Sequence, residues 1–200
     1  MAETANTGFK YYKSLSGNMA APTSIPFRIA NSTTLRLKDL VRVNTAGFVV
    51  TAGVGEAVGG VVVGLEDQNG INPFSLGYDT TGPSVTLTGD DQVATSSSNQ
   101  TSANYINARV VVDPSGDILW LQKADAALAR TNTFQYFDVD SNGRQVTVST
   151  ASDANGQVQL VLLDPEATGG KTADTTMGAF RIVENQFGLG IDSATAKNAA

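Results

Sequence analysis

LRLKDLVRVNTAGFVVTAGVGEAVGGVVVGLED, residues 35–67, is the stretch whose reading decides the fold. Leu40, Val41 and Val43 precede Asn44-Thr45-Ala46-Gly47, and Phe48, Val49 and Val50 follow. Two β-rich runs around a short turn ending in glycine predict a hairpin, because glycine takes a positive φ at little cost. After Gly53 and Gly55 comes a second apolar, β-branched run, residues 58–65, with Gly59, Gly60 and Gly64 inside it. Glycine within a strand marks a bulge, a bend or a close backbone approach. Such glycines suit the corners of a small curved barrel, and equally the joints of a β-meander.

C-terminal to this block, residues 68–82 form a Gly/Asn/Pro-rich connection, and 85–88 alternate as a short strand. Residues 89–104 (GDDQVATSSSNQTSAN) are polar and low in complexity, which predicts an exposed loop. Residues 105–112 (YINARVVV) read as a strand, Asp113-Pro114-Ser115-Gly116 as a turn, and 118–121, with the single Trp, as the hairpin partner. Residues 123–130 (KADAALAR) are the best helical candidate, about two turns long. Residues 134–139, 145–149, 157–163 and 180–187 predict four short strands of an antiparallel sheet or small barrel, and 193–200 a frayed tail.

N-terminal to the block, residues 1–34 read as an extended arm. Small and polar residues dominate it, and Pro22 and Pro26 disfavour helix. Its aromatics, Phe9, Tyr11 and Tyr12, interleave with Lys10 and Lys13. That pattern suits an arm lying on its own domain, a sister subunit or another protein. The expected fold is therefore all-β: an arm (1–34), then two small antiparallel barrel- or sandwich-like modules (35–125 and 126–200), with one short helix near 123–130.

Composition narrows the chemistry. The 200 residues include neither Cys nor His, so there is no disulfide, no thiolate metal site, no cysteine nucleophile and no Ser-His-Asp triad. Asp90-Asp91, Glu66-Asp67 and Asp138/Asp140 are carboxylate pairs of the kind a glycosidase uses, but acids in polar turns belong to solvated surface far more often. The net charge of −6 argues against a nucleic-acid partner. Residues 1–43 nevertheless carry a net +4, which leaves −10 on the remainder, so a basic front is expected to meet an acidic surface. No apolar run approaches the roughly 20 residues that span a bilayer. MAETANTGFKYYKS lacks an export signal's apolar region, so synthesis in the cytosol is expected.

Asp138-Val139-Asp140-Ser141-Asn142-Gly143 matches the first half of an EF-hand loop, but Ser149 stands where the closing Glu belongs. An Asn-Gly turn explains the same letters, and no metal or other cofactor is expected. Residues 168–172 (TGGKT) resemble the end of a P-loop, yet Pro165 occupies the required glycine position.

Residues 38–43 (KDLVRV), 45–52 (TAGFVVTA), the glycine-rich 53–64, 108–114 (ARVVVDP), 157–165 (QVQLVLLDP) and 180–187 (FRIVENQF) together resemble capsid decoration (cement) proteins of tailed bacteriophages. The resemblance implies a β-rich, non-enzymatic structural protein of the virion. It would sit on the outer capsid surface, bind and stabilise the major capsid protein lattice, and often be a homotrimer. The capsid-binding arm is then expected at Phe9, Lys10, Tyr11, Tyr12 and Lys13. A carbohydrate-binding or adhesive β-module on the virion is the alternative, with Trp120 or Tyr78 as its aromatic platform.

Overall fold

The computed structural model describes residues 8–16, 22–71, 84–88, 91–96, 105–163 and 176–187; for 84–88 and 91–96 it describes the backbone alone. The tail expected at 193–200, Tyr78 and the TGGKT stretch lie outside the described residues.

The all-β expectation holds. Among the described residues the strands are β1 (Lys10–Ser14), β2 (Ser24–Arg28), β3 (Thr33–Arg36), β4 (Leu40–Val43), β5 (Val49–Thr51), β6 (Gly60–Asp67), β7 (Ser84–Thr88), β8 (Asp91–Ser96), β9 (Ile106–Val111), β10 (Ile118–Lys123), β11 (Tyr136–Phe137), β12 (Val158–Leu163) and β13 (Met177–Ile182). They form sheet A, in the order β1-β10-β13-β12-β11, sheet B, β2-β9-β6-β4-β5, and a smaller sheet C, β3-β8-β7. Every pair within these ladders is antiparallel. Among the described residues no ladder closes into a barrel. The two edges of sheet B meet only through an isolated bridge, Ile29 to Val49, among the described residues.

The central hairpin forms as the sequence predicts, with Val41 opposite Thr51 and Val43 opposite Val49. The Asn44 side chain closes its turn by accepting the N–H groups of Ala46 and Phe48, each at 3.0 Å. In the glycine-rich strand the expected close approach falls at Gly60: a Cβ there would lie 2.2 Å from the Val111 carbonyl oxygen. A bulge between Val62 and Gly64 turns Val63 out of the ladder, which accounts for an exposed valine in a buried strand.

Sheet B is buried on both faces, and its apolar doublets divide between two cores. Leu40, Val61 and Val111 join Trp120, Phe137, Leu160, Phe180 and Ile182 of sheet A in the core between the sheets. Their neighbours Val41, Val62 and Val110 point the other way and pack with Ile29, Leu35 and Ile106. Period-2 alternation sends adjacent residues to opposite faces, so a doublet of large apolar residues needs two cores.

Five expectations are corrected. Residues 118–121 do not form a hairpin with 105–112: β9 belongs to sheet B and β10 to sheet A. The Asp113-Pro114-Ser115-Gly116 turn is a corner between sheets, held by the Asp113 carboxylate, which accepts the N–H groups of Asp117 (3.0 Å) and Ile118 (2.8 Å). The boundary placed at 125/126 consequently falls inside sheet A's connectivity, and the arm supplies edge strands to both large sheets. The helix at 123–130 is absent. Lys123 ends β10, Ala124 bridges Val146, and only a 3-10 turn follows at Arg130–Asn132, because burial of Leu128 and the backbone bonds of 124–125 to Thr176 and Val146 outweigh helical propensity. The loop expected at 89–104 contains β8, whose backbone pairs with β3 and β7. Residues 145–149 are not a strand: Val146 makes single bridges, and Val148–Thr150 is a 3-10 turn.

Gly143 has φ +66°, and a Cβ there would meet the Leu40 carbonyl oxygen at 2.6 Å, whereas Gly47 has φ +83° and open space around it. Gly47→Ala is expected to cost only backbone strain, about 1 kcal/mol, and Gly143→Ala at least about 2 kcal/mol. Thermal melts of the two variants check this, and equal losses would refute a role for the contact with Leu40.

Candidate binding surface

The expected arm residues form β1, the edge strand of sheet A, which pairs with β10 through a register shift between Tyr11 and Lys13. Phe9, just before it, is 1% exposed and sits in the core between the sheets. Tyr11 packs edge-on against Trp120, with ring centroids 6.3 Å apart and planes at 83°. Tyr12 is half-buried over Leu119, Leu121 and Ala179 on the opposite face of sheet A. Lys10 and Lys13 are exposed, and the Lys13 ammonium lies 5.3 Å from the Tyr12 ring centroid. The two tyrosines thus pack on opposite faces of sheet A within the chain, and the lysines are left to solvent. This revises the reading of the aromatics as anchors for a partner.

Isolated bridges reach the other outer strands of the large sheets. Ser152 exchanges two backbone hydrogen bonds with Tyr136 on the outer side of β11 (2.8 and 2.9 Å), and the Ile29–Val49 bridge links β2 to β5. No strand pairs with the outer side of β1 among the described residues.

A buried polar cluster fixes where β1 begins. The Arg144 guanidinium donates to the Asp39 carboxylate at 2.5 Å, with both side chains buried. Asp39 also accepts the Arg36 N–H at 2.7 Å. The Gln122 side-chain amide donates to the Arg144 carbonyl, and its oxygen accepts the Gly8 N–H at 3.1 Å. The Phe9 N–H donates to the Lys38 carbonyl at 2.8 Å. Burial pushes the Asp39 carboxyl up to about 7, against the opposing pull of the Arg144 guanidinium. No local pattern marks this cluster, since its members come from four distant segments.

The EF-hand-like letters build a backbone turn. Asp140 accepts the N–H groups of Arg144 (2.7 Å) and Gln145 (3.2 Å), and the Gly143 N–H donates to the Asp140 carbonyl at 3.0 Å. Among the described residues no three acidic side chains gather as a metal site. Trp120 is 1% exposed, so its ring is no platform for a sugar, and its buried indole N–H meets no acceptor among the described residues.

One surface residue stands apart. Phe134 has φ +69°, a conformation that costs a non-glycine residue about 1–2 kcal/mol, yet its side chain is 64% exposed. Its N–H donates to the Leu160 carbonyl and its carbonyl accepts the Gln159 amide, both at 2.8 Å. The preceding stretch exposes Ala126, Ala127, Ala129 and Arg130. No sequence pattern marks this surface, because φ is not legible in a lone Phe. Comparison with protein-family models, with curated proteins and with solved structures finds no match.

Two substitutions test the buried pair. Arg144 cannot shed its charge, so Asp39→Ala strands a buried cation and is expected to cost about 3–5 kcal/mol at any pH near neutrality. Arg144→Met leaves a carboxyl that can protonate, and removing the guanidinium raises its affinity for a proton further. A group that binds its proton more tightly folded than unfolded contributes stability at low pH and loses it as pH rises through the folded value. Arg144→Met is therefore expected to regain stability between pH 8 and pH 5, relative to wild type, while Asp39→Ala does not. Parallel pH profiles of melting temperature for the two variants would refute this.

Proposed function

We propose that this chain is a non-enzymatic structural protein of a virion that decorates a bacteriophage capsid by binding the major capsid protein lattice. One observation carries the attachment: β1 lies at the edge of sheet A with its outer side unpaired among the described residues, and Lys10 and Lys13 stand exposed on it. An unpaired edge accepts an extended segment of another chain through main-chain hydrogen bonds. Cations along such an edge steer an acidic partner in and discourage pairing with further copies of the same strand. The net +4 of residues 1–43 on an otherwise acidic chain supports the same orientation, and the resemblance of its strands to tailed-phage decoration proteins supplies the partner. In this reading Lys10, Lys13 and the β1 main chain make the contact. Phe9, Tyr11 and Tyr12 hold that strand in place from within. Repetition of the lattice site on the outer capsid surface favours a symmetric oligomer, and a homotrimer is proposed.

Purified protein mixed with undecorated capsids of the phage that encodes it is expected to add density at regular lattice positions in negative-stain images. Lys10→Glu with Lys13→Glu is expected to keep the wild-type melting temperature. It should bind about tenfold more weakly at low salt, with the gap narrowing as salt rises. Capsids that stay bare under saturating wild-type protein would overturn the function. Undiminished binding by the charge-reversed variant would move the attachment away from β1.

A further inference from the structure

We infer that Phe134 is a docking anchor whose ring enters an apolar pocket on a partner protein; that this partner is the capsid lattice rests on the function proposed above. The turn entering β11 requires a left-handed residue at 134, where glycine or asparagine would sit without strain. Phe134 occupies it at φ +69°, held by hydrogen bonds at its N–H and at its carbonyl, so its direction is fixed. The ring is 64% exposed and stands outside the apolar clusters formed by the described residues. A residue that strains its own backbone and leaves most of its ring to solvent is explained by what it does outside that chain.

The surroundings select the class of partner. Asp125, Ala126, Ala127, Ala129, Arg130 and Thr131 are exposed in the stretch leading to Phe134. An exposed aromatic four residues from an exposed arginine has the make-up of a protein–protein hot spot. A phenyl ring lacks a polar atom with which to orient a sugar, which disfavours a glycan.

The test uses the full chain, undecorated capsids of the phage that encodes it, and the variants Phe134→Gly and Phe134→Asn, both of which tolerate the left-handed conformation. Both are expected to melt above wild type, the glycine variant by about 2 °C or more. Both should bind capsids about thirtyfold more weakly in co-sedimentation. Wild-type decoration matched by the variants would overturn the anchor and leave the decoration function standing, whereas capsids left bare by wild type would overturn both. Variants that melt below wild type would assign the ring to the fold and overturn the anchor. Wild-type binding to a glycan array that is lost in both variants would give the ring to a sugar, and would equally overturn it.

Discussion

Burial of sheet B on both of its faces is the constraint on which the other features of this protein depend. A strand with one wet face alternates apolar and polar residues, but Leu40-Val41, Val61-Val62 and Val110-Val111 leave no polar face. Each doublet sends one side chain toward sheet A and the other toward the second core, which β3 covers with Leu35. Three layers follow from that demand. So does the tolerance for glycine at position 60, where the β9 backbone comes too close for a Cβ. The bulge at Val63 belongs to the same strand, turning one residue outward where the ladder slips.

Layers packed through apolar residues still need polar ties to fix their register, and two buried groups supply them. Gln157, fully buried, accepts the Val139 N–H at 2.9 Å and donates to the carbonyls of Gly53 and Glu56, each at 2.7 Å. It pins the start of β12 to the loop after β5. The Asp39–Arg144 pair does the same between the β3–β4 turn and the 140–144 turn, and Gln122 extends that contact to Gly8. The desolvation that raises the Asp39 carboxyl opposes the attraction between the charges, so such a pair contributes more to geometry than to net stability. Its consequence for function is positional: β1 starts where the buried cluster holds Gly8 and Phe9, and the exposed lysines follow from that start.

The proposed attachment and the proposed anchor differ in physical kind. Along β1 the recognition would come from main-chain hydrogen bonds and steering charge, which tolerate variation in the partner's sequence. At Phe134 it would come from one rigid ring in one pocket, which does not. The two lie at opposite edges of sheet A, since β1 and β11 are its outermost strands and Phe134 leads into β11. A protein held at both edges of one sheet would be fixed in orientation as well as in place.

The sequence by itself determined the β class, the Asn44–Gly47 hairpin, the close approach within the glycine-rich strand and the lack of histidine and cysteine chemistry. Each of these is a local matter of side-chain period, turn conformation or composition, and local patterns survive in a linear reading. It also marked residues 9–13 as worth attention, although it misread which of them face outward. The partnering of strands was decided only by the tertiary structure. Residues 105–112 and 118–121 flank a strong turn and read as a hairpin, yet they part into different sheets, and Val111 and Trp120 join the one core between those sheets. KADAALAR carries helical propensity, but a two-turn helix is too weak to compete with the burial of Leu128 and the bridge at Ala124. Asp39, Gln122 and Arg144 are unremarkable letters far apart in the chain, and only folding removes them from water together. The strain at Phe134 is a backbone angle, set by where β11 and β12 must meet.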